Sequence, residues 1–240
     1  MIALREKFFN RITADFQVMS TIVLKQLILT REIQEDNRQE SIYEEFENNE
    51  RILDSLEVKM RNEVINTIVL YSPRAGDLRK IMAYYDMTNY MERIGDLLMN
   101  VCGFLKKIDL EGPIFAHFRN DLSKLLETAE NMTQNAIFAF SCEDNELAQT
   151  TIQLDDDVDN LHRKITGELK DYNIGKTLDE QSVTDILGIN SISYNIERIG
   201  DNATNIAEAA IYLVEGKNVK HGGIDPDILQ AGSEGEQKTN

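Results

Sequence analysis

Apolar residues recur along most of the chain in steps of three and four, the spacing that gathers them on one face of an α-helix. The run Met91, Ile94, Leu98, Val101, Leu105 is one such stripe, and Ile196, Ile199, Ala203, Ile206, Ala210 is another. The pattern predicts an all-α protein of six long helices, with only weak strand signals. The first helix is expected from Ile2 to about Arg31. A polar stretch, Gln34 to Glu40, separates it from a second over Ile42 to about Val69. Ser72-Pro73 reads as the start of the third, with Ser as N-cap and Pro at the first helical position, and the helix continues to about Lys107. Gly112-Pro113 opens a fourth that ends near Phe140, and a fifth follows from about Asp144 to Tyr172. Asn173-Ile174-Gly175 is a stop signal. The sixth runs from about Leu178 to Val214 and ends at Gly216. From His221 onward the composition is that of a disordered tail. The only prolines are Pro73, Pro113 and Pro226, so none falls inside a predicted helix, where it would remove a backbone donor.

The third and sixth helices carry nearly the same text. Met91-Glu-Arg-Ile-Gly-Asp-Leu-Leu-Met-Asn100 matches Ile196-Glu-Arg-Ile-Gly-Asp-Asn-Ala-Thr-Asn205, at an offset of 105 residues. The offset extends backwards, pairing Glu50 and Asp54 with Asp155 and Asp159, and Leu56 with Leu161. A unit of three helices therefore occurs twice, which fixes the architecture as two pseudo-repeated three-helix bundles, expected end to end. The units are residues 1–109 and 110–215, followed by the tail 216–240.

Glu92, Asp96 and Asn100 stand at i, i+4 and i+8 and share a helix face, as do Glu197, Asp201 and Asn205. On a helical wheel they point away from the apolar stripe of their own helix. Glu50 and Asp54 lie on the flank of the second helix's stripe (Phe46, Leu53, Leu56, Met60, Val64), where they can meet the outer face of an antiparallel neighbour. One such acidic pair is an ordinary solvated surface, because like charges at i, i+4 cost only about 0.2–0.5 kcal/mol. Four pairs in register across a repeat suggest more. Converging carboxylates suit a hard or borderline multivalent cation that offsets their repulsion.

Composition narrows the function classes. Hydrophobic residues make up 42% of the chain, enough for a core, and the net charge of −17 disfavours direct contact with nucleic acid. Cys102 and Cys142 are the only cysteines and form no CxxC, which fits a reducing compartment and gives no thiolate zinc site. The first residues, MIALREKFFNRITADF, lack the apolar core of a signal peptide, and no run reaches the ~18 apolar residues of a membrane span. The expected location is therefore the cytoplasm, without membrane insertion. No GxxxxGK[ST], GxSxG or GxGxxG occurs, so nucleotide and hydrolase chemistry lack support. Asp159-x-x-His162 has the form used by di-iron bundle enzymes, but its repeat partner at 57 is Glu and no second copy exists. His117 near a helix start reads as a surface residue.

The duplicated MERIGD and IERIGD, each with Asn four residues after Asp, resemble the signature of the PhoU family. Pro73-Arg-Ala-Gly-Asp77-Leu-Arg, the Glu50/Asp54 and Asp155/Asp159 pairs, and the ending Ile211 to His221 are similar to the family pattern too. The resemblance covers about residues 5 to 225. It implies two three-helix bundles, a homodimer, and multinuclear iron or zinc, with magnesium or manganese as replacements, held on the surface by E(D)xxxD pairs. The implied ligands are Glu50, Asp54, Glu92 and Asp96 in the first half, and Asp155, Asp159, Glu197 and Asp201 in the second. Asn100 and Asn205 are implied as supporting contacts. The main departure is Asp155 where the longer Glu is usual. The implied role is non-enzymatic: negative regulation of phosphate uptake, linking the ATPase subunit of a phosphate ABC importer to a phosphate-sensing histidine kinase. PhoU-like domains also accompany sodium–phosphate symporters, which makes a symporter partner the alternative, with a metal-dependent enzyme on a helical bundle as a third.

Overall fold

The computed structural model describes residues 2–35, 39–172 and 177–216. These form α1 (Ile2–Gln34), α2 (Glu40–Tyr71), α3 (Ala75–Leu105), α4 (Pro113–Cys142), α5 (Asn145–Gln153), α6 (Asp155–Tyr172) and α7 (Glu180–Glu215), with no strand among the described residues. The stop expected at Asn173 to Gly175 and the tail beyond Gly216 lie outside them.

Several helix ends follow local chemistry. Gly112 caps α4 in an extended conformation with Pro113 inside the first turn. Asp144 and Asp179 cap α5 and α7, accepting hydrogen bonds from the Leu147 and Ser182 amides at 3.0 and 2.8 Å. Gly216, at φ 71°, closes α7 in the left-handed conformation. Ser72 departs from expectation. It sits at φ 43° as the left-handed C-cap of α2, its amide donating to the Ile68 carbonyl at 3.1 Å. A residue in that conformation cannot also be an extended N-cap, and Arg74 takes that place for α3 without a side-chain cap bond.

The fifth predicted helix is broken at Leu154 into α5 and α6. The Leu154 amide donates to Thr151 O and the Asp157 amide to Leu154 O, both at 3.1 Å, a tighter turn than the α-helix makes. Two local causes coincide there. Thr150 and Thr151 donate their hydroxyls back to the Glu146 and Leu147 carbonyls, a bond that bends helices. Asp155, Asp156 and Asp157 gain from a first turn, where unpaired amides favour negative charge.

In the first repeat α3 packs on α1 and α2; in the second, α7 packs on α4, α5 and α6. The two bundles are consecutive in the chain but lie side by side, not end to end, because α3 and α7 run antiparallel along their whole length. At one end the Asp109 amide donates to Asp185 Oδ1 at 2.9 Å. At the other, Arg79 stands 5.8 Å from the Tyr212 ring centroid and Lys80 pairs with Glu143. The reason lies in α7, which buries Ile189, Asn202, Ala207, Ala209 and Ile211 in addition to its repeated stripe. A helix apolar on more than one face must be covered on more than one side. Phe16, Tyr84 and Phe140, from α1, α3 and α4, meet with ring centroids 5.1–5.6 Å apart and join the two cores.

Among the described residues one segment, Phe8–Gln34, is long and apolar enough to cross a membrane, with a mean hydropathy of 1.3. Its apolar face is spent inside the protein: Ile12, Phe16, Met19, Val23 and Leu27 are all buried.

Candidate functional site

The repeated stripes of α3 and α7 are fully buried and hold both helices in register. That fixes the acids on the opposite side. Glu92 is half-buried, and Asp96 and Asn100 are exposed. On α2, burial of Leu53 and Met60 turns Glu50 toward the seam with α3, half-buried, and leaves Asp54 exposed. Glu50 meets Asp96 there. Burial, then contact with Asp96 and the charges of Asp96, Asp54 and Glu92, pushes Glu50 up to about 8. Glu92 is raised as well, by burial first and then by Asp96, Glu57 and Asp54, against the opposing charge of Arg93. A bond between two carboxyl groups needs a proton on one of them. With both ionised, Glu50 Oε2 is a buried oxygen with no donor.

The second repeat assembles the matching group on α6 and α7. Glu197 is pushed up to about 7 by burial, then by Asp201, Asp159 and Asp155, with Arg198 opposing. Asp201 is raised by burial and then by Asp159. Asp155 is raised by burial and then by Asp201, but the Thr204 hydroxyl donates to its Oδ1 at 3.2 Å and pulls the other way. Asn205 spends its amide N–H on the main-chain oxygen of Asp201 at 2.7 Å.

The structure thus brings Glu50, Asp54, Glu92 and Asp96 into one electrostatically coupled cluster, and Asp155, Asp159, Glu197 and Asp201 into another. None of the eight forms an ion pair with a base among the described residues. Nor do three or more Asp, Glu, His or Cys side chains close on one point there as a ready-made metal cage. The carboxylates form two ridges.

Three neighbours are absent from the acidic pattern. Glu57, bonded to Arg61 on its own helix, adds its charge to the first cluster. Thr204 serves the second. Gln26 of α1 is fully buried beside Gly95. Gln26 has a sequence signal, since it interrupts an otherwise apolar face three residues after Val23. His162 bonds Ser193 Oγ through Nδ1 at 2.8 Å, and burial lowers its pKa. His117 lies on the surface against Phe118 and Tyr172. Burial pushes Cys102 up to about 11, and Cys142 is free and exposed.

The PhoU domain family matches residues 16–105 and again 122–210. A phosphate-specific transport system accessory protein PhoU homolog of Aquifex aeolicus is 32% identical over 206 residues, covering 85% of this chain and 91% of the relative. The crystal structure of PhoU from Pseudomonas aeruginosa superposes with a TM-score of 0.78 at 26% identity, over 88% of this chain and 99% of that one. The phosphate transport system regulatory protein PhoU from Streptococcus pneumoniae shares the fold, with a TM-score of 0.71 at 17% identity over 90% of this chain and 99% of that chain. The doubled motif, the doubled domain match and the shared fold agree that the chain belongs to the PhoU family.

Proposed function

We propose that the protein is a cytoplasmic negative regulator of phosphate uptake and of phosphate-starvation signalling, acting by binding and not by catalysis. The observation that carries this reading is the doubled PhoU match, spanning both repeats, together with relatives named as phosphate-specific transport system accessory proteins. Its partners are the ATPase subunit of a phosphate ABC importer and a phosphate-sensing histidine kinase, and it works as a homodimer. An exposed apolar stripe on α2, of Val58, Ile65 and Val69, supports docking of another protein, because such residues gain from being covered.

The acidic clusters are its metal sites. Their chemistry fits a multivalent cation: all-oxygen donor sets, carboxyl groups raised by burial and mutual repulsion, no ion pair with a base among the described residues, and a buried Glu50 oxygen without a donor. Glu50, Asp54, Glu92 and Asp96 would hold one group of ions; Asp155, Asp159, Glu197 and Asp201 would hold the other, with Asn100 and Asn205 alongside. Iron or zinc, or magnesium or manganese in their place, would supply positive charge that binds α2 to α3 and α6 to α7. The fold already sets each group along one seam, so loading would draw the side chains together.

The test is expression of phosphate-starvation genes, in phosphate-rich medium, in source cells lacking this protein. Strong expression despite plentiful phosphate is expected. Unchanged expression, in a strain with no second copy, would sink the regulatory reading.

A further inference from the structure

Gln26 sits in the core of the first bundle with its side chain fully buried, and neither Oε1 nor Nε2 has a hydrogen-bond partner. Buried amides almost always have one, so an orphaned pair of polar atoms calls for a cause. Its surroundings supply one. A Cβ placed on Gly95 would lie 3.5 Å from Gln26 Oε1 and 3.1 Å from Glu50 Oε2. Glu50 Oε2 is itself buried and unpartnered. Three helices therefore bring two orphaned oxygens to the space over Gly95, where they flank the Leu53 Cδ1 methyl that packs against the glycine at 2.6 Å from the same point. That space is the inner end of the first acidic cluster, since Glu50 reaches outward to Asp96 from the same place.

The second repeat is built otherwise. All three atoms nearest a Cβ on Gly200 belong to Val158, and Asp155 already accepts from Thr204. None of those three atoms is polar.

We propose that Gln26 is an inner ligand of the first cluster, its amide oxygen joining Glu50 Oε2 on a multivalent cation that Asp96 and its neighbours hold from outside, so that the two repeats bind their ions unequally. An amide oxygen is a suitable ligand for a hard cation and adds no charge to a crowded cluster. The inference rests on the metal reading of the acidic clusters.

The test is titration of manganese(II) into the metal-free full chain by calorimetry and electron paramagnetic resonance. Wild type should show two classes of site. Gln26→Met, close in length but without a ligating oxygen, should weaken the tighter class at least tenfold and spare the weaker. Its metal-free melting temperature should hold or rise, because the orphaned amide is gone. Gln26→Asn, which withdraws the amide by one methylene, should weaken the same class less, and it serves if the Met variant fails to fold. Asp201→Asn should lose the weaker class only. Unchanged manganese affinity in folded Gln26 variants would overturn the inference while leaving the metal reading intact. No binding by wild type would overturn both.

Discussion

Glu50 and Asp155 hold matching places in the two repeats, 105 residues apart, in settings that differ at three points. Glu50 lies in the middle of an unbroken α2, whereas Asp155 opens α6 just after the break at Leu154. Interior helix residues have no free amide to offer a carboxylate, while a first turn does. Thr204 donates to Asp155; its counterpart at 99 is a methionine, which cannot donate. Glu50 instead reaches inward, beside Gln26 and Gly95. The same motif thus yields one acid pushed up to about 8 with an orphaned oxygen, and another partly relieved by a hydroxyl. Motif identity fixes where the acids stand. How much repulsion they store depends on residues outside the motif.

The bluntest way to break the comparison is to remove the acids the two motifs share. Asp96→Ala combined with Asp201→Ala should abolish most cation binding at both clusters while leaving helical content intact, because both residues are exposed. Metal content after gel filtration and far-ultraviolet circular dichroism read the two halves of that statement. Loss of helix would make the acids structural groups.

The two glycines give the next largest contrast. A Cβ at Gly95 would approach Leu53 Cδ1 to 2.6 Å in a packed interior, as well as Glu50 Oε2. At Gly200 the three nearest atoms would all be Val158's, the closest at 3.1 Å. Gly95→Ala should therefore cost about 1–3 kcal/mol through overpacking. Gly200→Ala should come out near neutral, since alanine's helix propensity returns up to about 1 kcal/mol. Denaturant melts of the metal-free variants decide it, and equal costs would mean that the gaps are alike.

Dependence on pH sharpens the comparison further. The folded chain holds the Glu50 proton up to about pH 8, whereas the unfolded chain releases it near 4.5. Between those values the folded state binds more protons, so this contribution is fully present below 4.5 and is lost as pH rises toward 8. Glu197 acts in the same sense over a narrower window, up to about 7. The metal-free melting temperature should fall by a few degrees from pH 5.5 to 8.5. Glu50→Gln should flatten the upper part of that fall, and a saturating divalent cation should restore stability at pH 8.5. A slope that Glu50→Gln leaves untouched would place its origin elsewhere.

Much of this was legible in the sequence, and the exceptions have physical reasons. Helical periodicity and the 105-residue offset locate the bundles and the four acidic pairs, because burial of one stripe dictates what the other face presents. The side-by-side packing needed the second apolar face of α7, with Ala207, Ala209 and Ile211, which a search for one stripe passes over. Ser72-Pro73 reads equally as a helix start or a helix stop, and the bond to Ile68 decides it. The break at Leu154 leaves no proline or glycine in the text; threonine back-bonds precede it and three successive aspartates follow it. Thr204 and Gln26 come from outside the acidic spacing, so only the packing brings them to the acids.

The smallest expected effect is the most specific. Thr204→Val keeps the shape of the side chain and removes only the donor to Asp155. If that bond is what relieves the second cluster, the variant should resemble the first, with Asp155 raised further and the melting temperature at pH 8 lower. The loss should be about 0.5–1.5 kcal/mol, the net worth of one hydrogen bond. The difference should shrink as the pH falls far enough to protonate Asp155, which then has less need of the donor. Met99→Thr is the converse change, offering Glu50 the hydroxyl it lacks. Stability that rises at pH 8 with Met99→Thr and falls with Thr204→Val would trace the inequality of the clusters to this one position. Two variants that shift together, or neither shifting, would assign it to the helix break and the reach of Glu50.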